Sequence, residues 1–187
     1  MAVTPVYGWR LPDGPIGANG PVALSNLATD IETTLAGVQY QNYTPSWTSD
    51  GLQQPSNAAT KIGRYRLANG WCDFSIFISF GASVSGGKGR LQLGLPVAAS
   101  SQLFEQITRA KLWNPNVGAV IDGIGLISAG GTSVWPMFTV ASTNSNLGYW
   151  TNNDNANNPG TGIPQFPGHW TAENGGNVAV TGRYLVA

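Results

Sequence analysis

The stretch Trp71-Cys72-Asp73-Phe74-Ser75-Ile76-Phe77-Ile78-Ser79-Phe80 decides the fold class of this chain. Cys72, Phe74, Ile76, Ile78 and Phe80 alternate with Asp73, Ser75, Phe77 and Ser79, and a period of two is what a strand with one buried face requires. Just upstream, Ile62 to Leu67 reads as a second strand, and Ala68-Asn69-Gly70 joins the two. Asn-Gly accepts the positive φ of a tight turn, so a β-hairpin is expected here. Downstream, Leu91, Leu93 and Leu95 alternate with Gln92 and Gly94 before Pro96 ends the run. Further strands are expected over 103–112, 117–128, 132–141 and 177–186. Strands separated by Gly, Ser and Asn turns, with no helix between them, predict a mainly-β fold: an antiparallel, jelly-roll-like β-sandwich.

Upstream of the hairpin the period changes. Leu24, Leu27, Ile31 and Leu35 recur at spacings of three, four and four, which places them on one face of a helix. Pro21 suits the first helical position and Gly37 the C-terminal stop, so the helix is expected over 21–37. Two readings of its stripe stay open: packing on its own domain, or a short oligomer-forming bundle. Residues 1–20 are punctuated by Gly8, Pro12, Gly14, Pro15, Gly17 and Gly20 and carry too few apolar side chains to form a core. They read as an extended arm that lies against either its own domain or a neighbour, with Tyr7, Trp9 and Leu11 as its anchoring side chains. The expected organisation is therefore an arm over 1–20, a helix over 21–37, a linker over 38–42 and the β-sandwich over 43–187.

Composition narrows the function. Charged residues make up 10% of the 187 positions and the net charge is zero, which disfavours nucleic acid as the main partner. The 25 Gly, 12 Pro and sixteen Asn supply turn chemistry rather than disorder, given a hydrophobic share of 42%. Cys72 stands alone, so no internal disulfide forms. No apolar run approaches the ~18 residues of a membrane span, and the start Met1-Ala2-Val3-Thr4-Pro5 lacks the signal-peptide pattern.

Catalytic chemistry finds little support. His169 is the sole histidine, and no G-x-S-x-G elbow accompanies it. The acidic residues are scattered, Asp30 and Glu32 being two apart on a helix and not facing one another. Ala82 to Gly89 is a near-miss for a phosphate loop, with Ala82 and Gly89 where Gly and Ser or Thr belong. One Cys and one His cannot build a zinc site. No enzyme activity, metal or cofactor is expected. Binding is the better expectation. Lys61, Arg64, Arg66, Lys88 and Arg90 fall within thirty positions and form either a basic patch or solvent-facing gatekeepers. Trp47 and Trp71 are expected in the core; Trp135, Trp150 and Trp170 lie near turns, where core packing is the default reading and stacking on a sugar or a neighbouring chain the alternative. The Asn-rich stretch 152–162 reads as a long surface loop, with Trp150, Asn152, Asn153, Asp154 and Asn155 as the candidate receptor-facing group.

Three stretches carry a resemblance. Tyr7-Gly8-Trp9-Arg10-Leu11-Pro12-Asp13, followed by Leu24 to Leu35, is similar to the N-terminal anchor and short helix of tail-associated (minor tail or tail-fibre type) structural proteins of bacteriophages that infect actinobacteria. Tyr43-Thr44-Pro45-Ser46-Trp47-Thr48, Gly63-Arg64-Tyr65, Phe74 to Ile78 and Leu95-Pro96-Val97 resemble the opening of their C-terminal β-sandwich. Trp170-Thr171 and Val178 to Tyr184 resemble its closing strand. The resemblance implies a virion structural protein, assembled in the host cytoplasm. It further implies a homotrimer attached to other virion proteins, with a β domain displayed toward host cell-wall glycan. The chain is short, with no long shaft between helix and sandwich, so a capsid decoration or head-fibre role is the alternative and a glycan depolymerase a minor one. Gly-Arg-Tyr occurs twice, at 63–65 and 182–184, and the two strands are expected to run near one another.

Overall fold

The hairpin built on Asn69-Gly70 forms as its residues dictate. Asn69 and Gly70 take φ of 51° and 77°, the left-handed pair that a two-residue hairpin turn demands. They join β3 (Thr60–Ala68) to β4 (Trp71–Phe80), in register from Ala68↔Trp71 to Thr60↔Ser79. The computed structural model describes residues 20–37, 39–50, 54–55, 59–81, 89–102, 104–115, 118–139, 147–149, 151–152 and 175–186. The expected N-terminal arm, residues 1–19, lies outside them, as do residues 153–174.

The helix α1 spans Gly20–Gly37, one residue longer than expected. It is followed by β1 (Gln41–Tyr43) and β2 (Trp47–Ser49). After the hairpin come β5 (Gly89–Gly94), β6 (Glu105–Asn114), β7 (Ala119–Ser128), β8 (Ser133–Thr139), β9 (Leu147–Tyr149), β10 (Thr151–Asn152) and β11 (Gly176–Leu185). All pair antiparallel in the order β1-β3-β4-β11-β6-β7-β8-β5-β10, with β2 on β5 and β9 on β8. The mainly-β, sandwich-like expectation holds. Its long strands were legible from alternation; the three-residue strands β1 and β2 are too short to show any period, and β1 opens inside the stretch expected as linker.

The sheet curls so that its inner face encloses one core. Alternation places Cys72, Phe74, Ile76, Ile78 and Phe80 of β4 inside, all buried. Val178, Val180 and Tyr184 of β11 and Ala110 and Leu112 of β6 sit beside them, each fully buried. Leu91 and Leu93 of β5, also fully buried, come from the far side of the curl. Trp47 of β2 meets Phe80 at 5.0 Å between ring centroids. Phe74 and Tyr184 meet edge to face at 5.4 Å. Burying each such side chain stabilises the fold by roughly 1.5–3 kcal/mol.

Strand β11 is the keystone of this arrangement. It pairs with β4 along its whole length, from Gly176↔Phe80 to Leu185↔Trp71, and with β6 from Asn177↔Trp113 to Thr181↔Arg109. Beyond Thr181 the buried Gln106 amide takes over the pairing: its Nε2 donates to the Leu185 carbonyl at 3.2 Å and its Oε1 accepts from the Leu185 N–H at 2.6 Å. Gly182 exists for space, since a Cβ there would lie 2.7 Å from Thr108 Cβ. Gly63 does the same on β3, its missing Cβ leaving room for the Tyr43 ring.

Helix α1 stands apart from this core. It meets the sheet at β3. Of its stripe, Leu27 and Ile31 are half-buried, while Leu24 and Leu35 remain 53% and 55% exposed and Val22 62%. No acidic residue sits in its first turn and no basic one in its last, so the helix dipole lacks side-chain compensation. The hydroxyls of Thr29, Thr33 and Thr34 donate back to the carbonyls of Ser25, Thr29 and Asp30. Intrinsic propensity therefore contributes little to this helix.

Candidate functional site

The outer face of the sheet carries the second half of the alternation. From β4 it presents Asp73 and Ser75; the cross-strand register sets Arg66 and Arg64 of β3 opposite them on one side, and Arg183 and Thr181 of β11 on the other. Two rows result, Arg66–Asp73–Arg183 and Arg64–Ser75–Thr181. Tyr40, just past the end of α1, lines an open hollow of about 580 Å³ together with Arg64, Asp73, Ser75, Thr181 and Arg183, and Arg66 borders it through its contacts with Asp73 and Tyr40.

Asp73 organises the hollow. Its side chain is 15% exposed. Arg66 Nε donates to Oδ2 at 2.8 Å. Arg183 donates through Nε to Oδ1 and through Nη2 to Oδ2 at 3.0 Å, a two-point grip. The Arg183 hydrogen bond holds the carboxyl below its ordinary range; burial opposes this, and Arg66 adds to the lowering. Arg66 also lies over the Tyr40 ring, 5.2 Å from its centroid, a cation–π contact. Arg64 is exposed and has no hydrogen-bond or ion-pair partner among the described residues. Three guanidiniums thus surround one carboxylate, and the hollow keeps an excess of positive charge beside two hydroxyls and an aromatic ring. Such a site can receive an oxyanion. Among the described residues no three His, Cys, Asp or Glu side chains come together as a metal site.

The inner face beneath holds its titratable groups in their neutral forms. Burial pushes the Tyr184 phenol far up, and the adjacent Cys72 adds to the effect; burial likewise raises the Cys72 thiol and the Tyr43 phenol. Tyr184 Oη donates to the Val97 carbonyl at 2.9 Å, and Tyr43 Oη to the Gly94 carbonyl at 3.3 Å. These hydrogen bonds tie the strand face to the segment that closes the end of the core.

The basic residues of 61–90 that are described do not gather into one patch. Arg64 and Arg66 face outward as a pair, but Lys61 has the inward parity of Gly63. Arg90 of β5 binds Asp50 through Nε and lies 5.6 Å from the Trp135 ring centroid. Lys88, with most of the near-miss phosphate loop, lies outside the described residues. Trp47 is buried at 5% exposure, as expected, whereas Trp71 is not in the core: it shares the outward parity of Asp73 and is 38% exposed. Trp135 sits half-buried on β8. The helix residues Leu24, Leu27, Ile31 and Leu35 do share one flank of α1, part covered and part bare. Tyr7, Trp9 and Leu11, and Trp150, Asn153, Asp154, Asn155, His169 and Trp170, lie outside the described residues; the backbone of Asn152 ends β10, paired with Gly89.

Sequence reasoning missed Arg183 because 117 positions separate it from Arg66. The repeated Gly-Arg-Tyr was the available signal. Strands β3 and β11 flank β4 on its two sides, so both motifs turn Gly and Tyr inward and Arg outward, and Arg64 and Arg183 enter one hollow. Compared with protein-family models, curated proteins and solved structures, the chain matches none.

Proposed function

We propose that this chain is a structural protein of a bacteriophage particle, tail-associated and homotrimeric, which displays its β domain toward the host cell surface. The observation that carries the reading is the bare flank of α1. The buried core lies among the strands and the segments that join them, yet Val22, Leu24 and Leu35 of the adjoining helix stay more than half exposed. A helix of 18 residues with no dipole compensation is marginal alone and gains its stability from packing an apolar face. Copies of the same helix provide that packing, with Leu24, Leu27 and Ile31 at a, d and a of a heptad. The sequence resemblance to tail-associated proteins of actinobacterial phages agrees with this arrangement and supplies the particle as its setting. In it the arm over 1–20 joins other virion proteins, and host cell-wall glycan meets the outward domain.

Light scattering coupled to size exclusion tests the reading on the full chain and on the variant Leu24→Glu/Leu27→Glu/Ile31→Glu. A trimer that becomes a folded monomer on substitution is the expected result. A full-length chain that is already monomeric contradicts helix-driven assembly. The arm must then dock on an existing lattice, as a capsid decoration protein does.

A further inference from the structure

The hollow on the outer face is the one place in the described residues where unspent charge, hydroxyls and an aromatic ring converge. We propose that it binds an acidic sugar, a saccharide bearing a phosphate or carboxylate, with Arg64 and Arg183 as the anion-contacting residues. This deepens the host-surface reading above and rests on it for the source of the ligand, but its chemistry stands on the hollow itself.

Charge comes first. Asp73 neutralises one of the three surrounding guanidiniums, and its hydrogen bonds go to Arg66 and Arg183. Their positions are fixed by that grip, while Arg64 stays uncommitted across the floor. Arg183, pre-set by the carboxylate, loses little freedom on binding and keeps Nη1 for a ligand, while the uncommitted planar fork of Arg64 matches the geometry of phosphate and carboxylate. The sugar part follows from the remaining lining. Ser75 and Thr181 offer hydroxyls on the row that also holds Arg64, suited to exchange hydrogen bonds with ring hydroxyls. Tyr40, 57% exposed, supplies an apolar wall for the C–H face of a pyranose. A volume of about 580 Å³ falls within the range of small-ligand sites and exceeds what a bare anion fills. The hollow is open to solvent, so binding weakens with salt.

Isothermal titration calorimetry on the full chain decides it, with N-acetylglucosamine 1-phosphate, glucuronic acid, N-acetylglucosamine and inorganic phosphate as probes. Binding of at least one acidic sugar, absence of binding by neutral N-acetylglucosamine, and a loss of about tenfold or more in Arg64→Ala are expected. Arg64→Lys, which keeps the charge and loses the fork, should recover part of the affinity. Whether the phosphate or the carboxylate probe binds tells which anion the host polymer carries. Arg64 lies outside the Asp73 network, so its removal leaves the fold intact, and an unchanged melting temperature checks this. The proposal is overturned if neither acidic sugar binds, if Arg64→Ala binds as the parent does, or if inorganic phosphate binds as tightly as the sugar phosphate. A chain that binds the acidic sugar but is monomeric in solution leaves this proposal standing and overturns the trimeric appendage; a trimer that binds no acidic sugar does the reverse.

Discussion

Tyr184 and Arg183 are neighbours in β11, yet one is fully buried and the other 55% exposed. A milder form of the division runs through Tyr65, half-buried against the core, and exposed Arg64 of β3, on the other side of β4. Each Gly-Arg-Tyr triplet therefore serves two faces at once. Its Gly and Tyr shape the core, and its Arg equips the surface. The lesson is that a strand's period of two separates stability from recognition within three residues. Changes on the inner face should then move stability, and changes on the outer face should move binding, with little exchange between them.

The largest effect should come from the inner face. Tyr184→Ala removes a fully buried ring that packs on Phe74 and should cost about 3–5 kcal/mol in urea unfolding. Gly182→Ala pushes a methyl group against Thr108 and should cost roughly 1–3 kcal/mol in the same assay. Tyr184→Phe keeps the ring and loses only the hydrogen bond to Val97, for about 1 kcal/mol. Arg183→Ala, one residue away, should have the smallest effect of the four, because its guanidinium is 55% exposed. If Arg183→Ala destabilised the protein as much as Tyr184→Ala, the two faces would not be separable in the way proposed.

The faces should also part company in pH. Asp73 is held below its ordinary value in the folded chain by Arg183 and Arg66. Its contribution is thus present above the unfolded carboxyl value of about 3.9 and is lost as pH falls through the lower folded value. Tyr184 and Tyr43 are raised by burial. For them the neutral phenol is the favoured native form, so stability is intact below the unfolded value of about 10 and declines as pH rises above it. The Asp73→Asn curve should therefore lie below the parent at neutral pH and converge with it as pH falls through the acid range, whereas Tyr184→Phe should lie below the parent by the lost hydrogen bond up to pH about 10 and lack the Tyr184 share of the alkaline decline.

How much of this was legible follows from the same parity. Seven strands show in the sequence because their side chains alternate over six or more residues, and β11 was placed within a residue of its true start. Trp71 carried its own correction: the alternation that buries Cys72 and Phe74 obliges Trp71 to face out. The basic cluster 61–90 could have been split the same way, since Lys61 differs in parity from Arg64 and Arg66. The hollow itself was beyond periodicity, because joining Arg183 to Arg66 requires the sheet order β3-β4-β11, and strand order is a tertiary property. The repeated Gly-Arg-Tyr hinted at it without naming Asp73 as the centre. On the helix, spacing identified the stripe but not its partner; the exposure of Leu24 and Leu35 beside half-buried Leu27 and Ile31 is what shows the one flank covered at its middle and bare at its ends.

The central claim is that the paired Gly-Arg-Tyr strands divide stability and recognition between their faces. The most direct test is a thermal-shift titration of the parent chain and of Arg64→Ala/Arg183→Ala with N-acetylglucosamine 1-phosphate and glucuronic acid. Near-equal melting temperatures without ligand, and a ligand-induced rise in the parent alone, are predicted. A double variant that melts several degrees lower without ligand, or that keeps the parent's ligand-induced rise, would contradict the account.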